Sequence, residues 1–333
     1  MKICFDSLSL LPTKGQQALI KTILSDEKES CLKCWQLWKR YQDFEELDYE
    51  SFILLPFLVE KIDQFDIVDE NYPRYQGIMK KNWVENQYQD DIIVIIESIF
   101  NDAGIYFFFY DENAIHIRLP NLKYTVKRSR ISILIQDKDL SKCKALLENN
   151  FWKLTENSFY QKLFSKINFI QFEKDNHRLT IYFQATRIPS TQTFNSSIFS
   201  LKKEEDTSLI IDDTLYIYLL LLRSQTEYYI AKITWIIFCS HSQKNSQTID
   251  WDEFVKIVIK NKTAHFILPA YQVLHSINPE IFPILVINEL TKIPSHIISK
   301  LEFKFIASKK KILRKIYYCS IYYLKKGILF YNK

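Results

Sequence analysis

The stretch Arg130-Ile-Ser-Ile-Leu-Ile135 alternates in character, with Ile131, Ile133 and Ile135 on one side of an extended chain and Arg130 and Ser132 on the other. The pattern predicts a strand whose register is fixed by its apolar face. Further β-rich runs occupy Ile105–Tyr110, Phe151–Thr155, Ile167–Phe172 and Leu179–Phe183. In the last run Leu179, Ile181 and Phe183 take the core side, which leaves Thr180 and Tyr182 facing outward. One helix interrupts the strands, over 139–148, with Asp139 as its N-cap. On both sides of 105–184 the pattern becomes helical. Within 14–102, Pro73 can open a long helix through Trp83, Asn86 and Ile92–Ile96 to Asp102-Ala-Gly104, where glycine stops it. At 1.5 Å per residue such a helix is about 45 Å long. Within 211–290, Asp212 or Asp213 can cap Leu215–Arg223, and Asp250-Trp-Asp-Glu can open a helix through Ile259. The polar stretches Thr186–Ser200 and Ser240–Thr248 read as loops.

Together these elements predict an α+β fold, a small mixed or antiparallel sheet with helices, flanked by N-terminal and C-terminal helical regions. The expected divisions are an N-terminal helical region (1–102), an α/β core (103–200), a C-terminal helical region (201–299) and a tail (300–333).

Composition narrows the function. The chain has 333 residues, 47% of them hydrophobic, enough for a sizeable core. Only four glycines occur, Gly15, Gly77, Gly104 and Gly327, and neither a dinucleotide-binding G-x-G-x-x-G nor a P-loop can be written with them. The apolar runs Leu215–Leu222 and Ile233–Cys239 fall far short of the roughly 20 residues of a membrane span. The start Met-Lys-Ile-Cys-Phe-Asp lacks the apolar stretch of a signal peptide, so the six cysteines are expected to be reduced thiols of a cytoplasmic protein.

The net charge of +5 is uneven: 300–333 carries +9 and the remainder −4. Lys309, Lys310, Lys311, Arg314 and Lys315 stand among Ile and Tyr in this basic, aromatic tail. The segment could meet an acidic membrane surface or nucleic acid, but packing of Ile and Tyr on the body, with lysines in water, is the favoured reading.

The order of landmarks resembles an uncharacterised bacterial nucleotidyltransferase-like family, a distant branch of the polymerase-β-type superfamily. The matching residues begin with Cys34-Trp-Gln-Leu-Trp38, Ile53-Leu-Leu-Pro56, Tyr75 and Lys81-Asn-Trp-Val-Glu-Asn86. Ala103-Gly-Ile105 then enters the first strand, and Ser141-Lys-Cys-Lys-Ala-Leu-Leu-Glu-Asn-Asn-Phe151 resembles a helix that ends in a Gly-Phe turn. Asp212-Asp-Thr-Leu215, Lys232-Ile-Thr-Trp235 and Ile249-Asp-Trp-Asp252 open later helices. The resemblance implies nucleotidyl transfer assisted by two Mg²⁺, held by two aspartates at alternate positions of one strand and a third carboxylate on a neighbouring strand. It also implies a small Gly-containing turn after the first strand.

This chain departs from that pattern throughout. Arg130 and Ser132 occupy the two acidic positions, the third carboxylate falls near Thr180, and the glycine turn becomes Phe109-Tyr-Asp-Glu112. No catalytic residue is assigned, and the expectation is a degenerate, catalytically inactive relative with neither cofactor nor bound metal. Its cleft would be lined by Tyr110, Lys127, Arg128, Arg130, Ser132 and Tyr182, with Asp111 beside it, and would suit a phosphate, a metal-free nucleotide or an acidic peptide. The resemblance further implies an accessory role, with a peptide or protein partner, in a biosynthetic gene cluster. The alternative is an active Mg²⁺-dependent transferase that uses displaced carboxylates, Asp111, Asp137 or Asp139. Against it, Asp111-Glu112 reads as a surface turn, and Asp137-Lys-Asp139 follows the strand and reads as helix capping. Cys31-x-x-Cys34 has no second pair, and its cysteines read as small core residues; the histidines show no i, i+4 pairing.

Overall fold

A computed structural model describes residues 12–122, 125–155, 168–185, 198–199, 211–226, 233–245 and 249–294. Five helices come first: α1 (Lys14–Leu24), α2 (Lys28–Tyr41), α3 (Tyr49–Phe52), α4 (Leu55–Phe65) and α5 (Tyr72–Asp102). Local chemistry sets their ends. Thr13 and Gln16 form a reciprocal capping box on α1, the Asp48 carboxylate accepts the Ser51 N–H on α3, and Pro56 lies in the first turn of α4. The 31-residue α5 starts at Tyr72-Pro73 and runs out at Gly104, whose φ of +61° suits glycine. At 1.5 Å per residue it is about 46 Å long.

The sheet follows: β1 (Phe107–Phe109), α6 (Asp111–Arg118), β2 (Ile131–Ile135), α7 (Leu140–Asn149), β3 (Lys153–Leu154), β4 (Phe169–Lys174) and β5 (His177–Tyr182). Its order is β1-β2-β5-β4-β3. β2 pairs antiparallel with β1 and parallel with β5, whereas β5–β4 and β4–β3 are antiparallel. Asp175 and Asn176, both at positive φ (48° and 67°), make the two-residue turn between β4 and β5, as the twist of a tight hairpin requires. The last helices are α8 (Asp213–Thr226), α9 (Thr234–Asn245), α10 (Trp251–Lys260), α11 (Ala264–Ile277) and α12 (Ile284–Lys292). Asp212 accepts the Leu215 N–H at 3.1 Å and Asp250 the Glu253 N–H at 2.9 Å, so both expected caps form.

Both faces of the sheet are covered. On one, Phe107, Phe109, Ile131, Ile133, Ile135, Leu179 and Ile181 pack with Ile96 and Phe100 of α5 and Cys143 and Leu147 of α7. On the other, Phe108, Tyr110, Leu134 and Tyr182 join a larger core with the N-terminal helices and α8–α12. α8 runs through this second core, with Leu215–Leu219 and Leu221–Leu222 buried. Its apolar run serves packing, and no helix among the described residues is long and apolar enough to cross a membrane.

Three sequence expectations change. Thr180 and Tyr182 do not face outward: each is 1% exposed, because the C-terminal helices turn the polar side of the sheet into a second interior. Asp111 and Glu112, expected in a surface turn, instead open the helix α6. Ser240–Asn245 belongs to α9 instead of a loop, since Ser240 and Ser242 are small enough to be buried against neighbouring helices. The expected loop 186–200 lies almost wholly outside the described residues, and the basic tail from Lys309 to Lys315 entirely so.

Candidate functional site at the start of β2

β1 enters the sheet antiparallel to β2, so its C-terminal end lies beside the beginning of β2, and the Tyr110 N–H donates to the Ser132 carbonyl at 2.9 Å. The parallel partner sets Ser132 beside Thr180 and Leu134 beside Tyr182. One sheet face thus gathers Tyr110, Ser132, Thr180 and Tyr182 from three strands, with Arg130 at the mouth.

Asp111 lies at the centre of this group. Its φ of +53° is a left-handed conformation that Asp tolerates better than most side chains. The turn directs the carboxylate inward, where one oxygen accepts the Tyr182 hydroxyl at 3.0 Å and Arg130 Nη2 at 3.2 Å. The other oxygen pairs with Arg223 Nη1 from α8. The Arg223 guanidinium lies 4.3 Å from the Tyr110 ring centroid and 5.3 Å from that of Tyr182, and the two rings meet edge-on at 4.9 Å. Arg130 also reaches the Tyr182 hydroxyl at 3.3 Å and Ser132 Oγ at 3.4 Å. The Asn113 carboxamide oxygen accepts the Ser132 N–H at 2.8 Å, and Gln171 Nε2 donates to Thr180 Oγ1 at 3.4 Å.

The electrostatics follow from this packing. Burial opposes ionisation of Asp111, but Arg223 and Arg130, with the Tyr182 hydroxyl, outweigh it and hold the carboxyl at a pKa of about 2. The Glu112 carboxyl is pushed the other way, above the usual carboxylate range, first by burial and then by the neighbouring Asp111 charge. Two guanidinium ions thus flank the Asp111 carboxylate directly. Arg130, with 23% of its side chain exposed, connects the cluster to solvent.

The structure brings together Tyr110, Asp111, Arg130, Ser132, Thr180 and Tyr182, and it separates Lys127 and Arg128 from them. Residues 125–128 run alongside α5. There Asn82 Nδ2 donates to the Thr125 carbonyl at 3.1 Å, Asn86 Nδ2 to the Val126 carbonyl at 2.8 Å, and Gln89 Nε2 to the Arg128 carbonyl at 2.7 Å. Arg128 is buried and bonded to Asp90 and the Asn86 carbonyl, while Lys127 pairs with Glu85 at 2.7 Å. Asp111 is not on a surface turn either, being 8% exposed. Arg223 is the member that the sequence reading missed. It follows a run of leucines in a helix more than ninety residues away, and a buried arginine there needs a counter-charge.

The remaining candidates lie elsewhere. Asp137 and Asp139 form a 3-10 turn before α7, at the opposite end of β2 from Arg130. At 3.3 Å per residue, β2 alone separates the two ends by roughly 16 Å. Asp139 is the N-cap residue of α7, although its side chain makes no capping bond. Cys31 is buried and Cys34 half-buried, both as free thiols on α2, with Cys31 Sγ 3.6 Å from the Thr22 carbonyl. Among the described residues no group of three or more His, Cys, Asp or Glu side chains is placed to hold a metal ion. No protein-family model, curated protein or solved structure matches the chain.

Proposed function

We propose that this is a nucleotidyltransferase-like protein that has lost metal-dependent transfer and acts by binding a phosphate-bearing or acidic ligand at Arg130. The observation that carries the reading is the Arg130–Asp111–Arg223 cluster. Arg130 and Ser132 stand where the resemblance places metal-binding aspartates, and the nearest carboxylate is committed to two arginines. For Asp111 to ligate Mg²⁺ it would have to surrender both ion pairs and leave two guanidinium ions close together in a buried site. A phosphate or carboxylate at the exposed edge of Arg130 instead leaves both ion pairs in place and suits its planar donors. The order of β1, β2 and β5, with Ser132 beside Thr180, supports the likeness to a transferase core.

Calorimetric titration of the full chain with ATP and GTP, in EDTA and in Mg²⁺, tests the proposal. Binding should be the same in chelator, and Arg130→Gln should weaken it about tenfold, the loss of one charge-assisted contact. Binding that requires Mg²⁺ and disappears in Asp137→Ala or Asp139→Ala would establish displaced metal ligands and sink the proposal. Absence of binding under both conditions would remove phosphate ligands from it.

A further inference from the structure

A second basic site lies on the N-terminal helices, and it uses residues that the Arg130 cluster does not. α1 and α2 pack antiparallel. Cys31 meets the Thr22 carbonyl near one end, and a Cβ at Gly15 would lie 3.2 Å from Tyr41 Cβ near the other. The groove between them encloses about 530 Å³. Its walls carry Lys14 and Lys21 from α1 and Lys33 and Arg40 from α2, and no acidic residue lines it. All four cations are exposed, and none forms an ion pair among the described residues. Neighbouring cations differ: Lys39 pairs with Asp69 at 3.5 Å and Arg74 with Glu45 at 2.5 Å.

The spacing is regular. Lys14, Ala18 and Lys21 stand at i, i+4 and i+7 on α1, and Lys33, Leu37 and Arg40 repeat that pattern on α2. Seven residues of helix span about 10.5 Å. With Thr22 opposite Cys31 and Gly15 opposite Tyr41, the antiparallel register brings Lys21 level with Lys33, Lys14 with Arg40, and Ala18 with Leu37. Two cation pairs therefore bracket an apolar step made by a small and a large side chain. Leu37 is 41% exposed and Tyr41 50% exposed along that floor.

We infer that this groove docks an acidic amphipathic helix of a partner protein. The occupant carries Asp or Glu at i and i+7, matched to the cation pairs, and an apolar residue at i+3 or i+4 that sits over Ala18 against Leu37. Charge complementarity fixes the sign of the partner, and the shared 10.5 Å repeat fixes its helical form. A lone phosphate would meet cations spread along two helices. At the start of α1 the Gln16 N–H is already taken by the Thr13 hydroxyl and the Thr13 N–H by the Gln16 side chain. A nucleic-acid strand would satisfy the cations but leave the aliphatic floor unused.

The probe is a fluorescein-labelled synthetic helix of about 14 residues, four turns, with Glu at i and i+7 and Leu at i+3 and i+4. Anisotropy with the full chain should show saturable binding that weakens as salt rises. Lys21→Glu combined with Lys33→Glu should weaken it about tenfold or more, and Leu37→Asp, with all four cations retained, should do the same. These positions are exposed, so circular dichroism and melting curves should match the parent. A peptide of the same composition in scrambled order should bind about tenfold less well. Failure of the patterned peptide to bind, equal binding of the scrambled one, or indifference to the charge reversals overturns the inference. Tighter binding of an oligothymidylate, lost in the same variants, also overturns it and assigns the groove to nucleic acid.

Discussion

Asp111 supplies a backbone conformation and a charge at one position. Asp111→Asn should preserve the left-handed turn, which Asn also tolerates, while leaving Arg130 and Arg223 without their shared anion. Removing one partner of a buried ion pair costs roughly 3–5 kcal/mol, and urea denaturation should show a loss of that order. Adding Arg223→Gln to Asp111→Asn should cost much less than a second full step, because the two residues act on one interaction. The sequence made half of this legible. Alternation around Arg130 and Ser132 identified the face, and the absence of acids there was visible directly. What could not be read was Asp111 turning inward: acids in turns are usually solvated, and the arginine that overrides this preference comes from another part of the chain.

At the scale of the element, α5 shows how a weakly amphipathic helix is held. Its C-terminal half packs Ile96 and Phe100 on the sheet, whereas its N-terminal half buries Asn82 and Asn86. Those amides bind the backbone of 125–128 as a strand edge would. Asn86 both donates to the Val126 carbonyl at 2.8 Å and accepts the Arg128 N–H at 3.0 Å. Asn86→Ala strands both buried groups, at roughly 1–3 kcal/mol each, so a total of about 2–6 kcal/mol should appear in chemical denaturation with little change in helical content. The helix itself was legible to within a residue at either end, since Pro73 and Gly104 are strong punctuation. α6 was not. Eight residues without proline, glycine or a clear apolar stripe carry little periodic signal, and their helix depends on tertiary contacts such as Asn113 with Ser132.

At the scale of the whole molecule, the sheet lies between two cores, and alternation alone could not reveal the second. A strand with one polar side normally faces water, but here Ser132 and Tyr182 meet Arg130 and Asp111, and Thr180 meets Gln171, within the second interior. That larger core also encloses titratable groups. His241 on α9 is held neutral, first by burial and then by Lys244 and Lys61, with its pKa lowered from 6.5 to about 4. Because the folded value lies below the unfolded one, protonation favours the unfolded chain. Stability should be retained above pH 6.5 and fall between pH 6.5 and 4, by at most about 3 kcal/mol from this residue. Melting curves across that window should flatten in His241→Gln. An unchanged slope would place the acid sensitivity in other groups.

The parallel pairing of β2 with β5 has a consequence for the order of assembly. The β4–β5 hairpin closes over two residues, whereas β2 and β5 join positions 48 apart and Asp111 meets Arg223 across 112 positions. Loop closure disfavours the distant contacts until the local ones exist. The order expected from these separations is hairpins and helices first, the central parallel seam next, and the arginine clamp last. Interactions completed after the rate-limiting barrier govern how fast a protein comes apart and leave its speed of folding nearly unchanged. The cluster at the start of β2 is thus predicted to act as a latch: the stability lost in Asp111→Asn should appear in stopped-flow denaturant kinetics mainly as a faster unfolding rate.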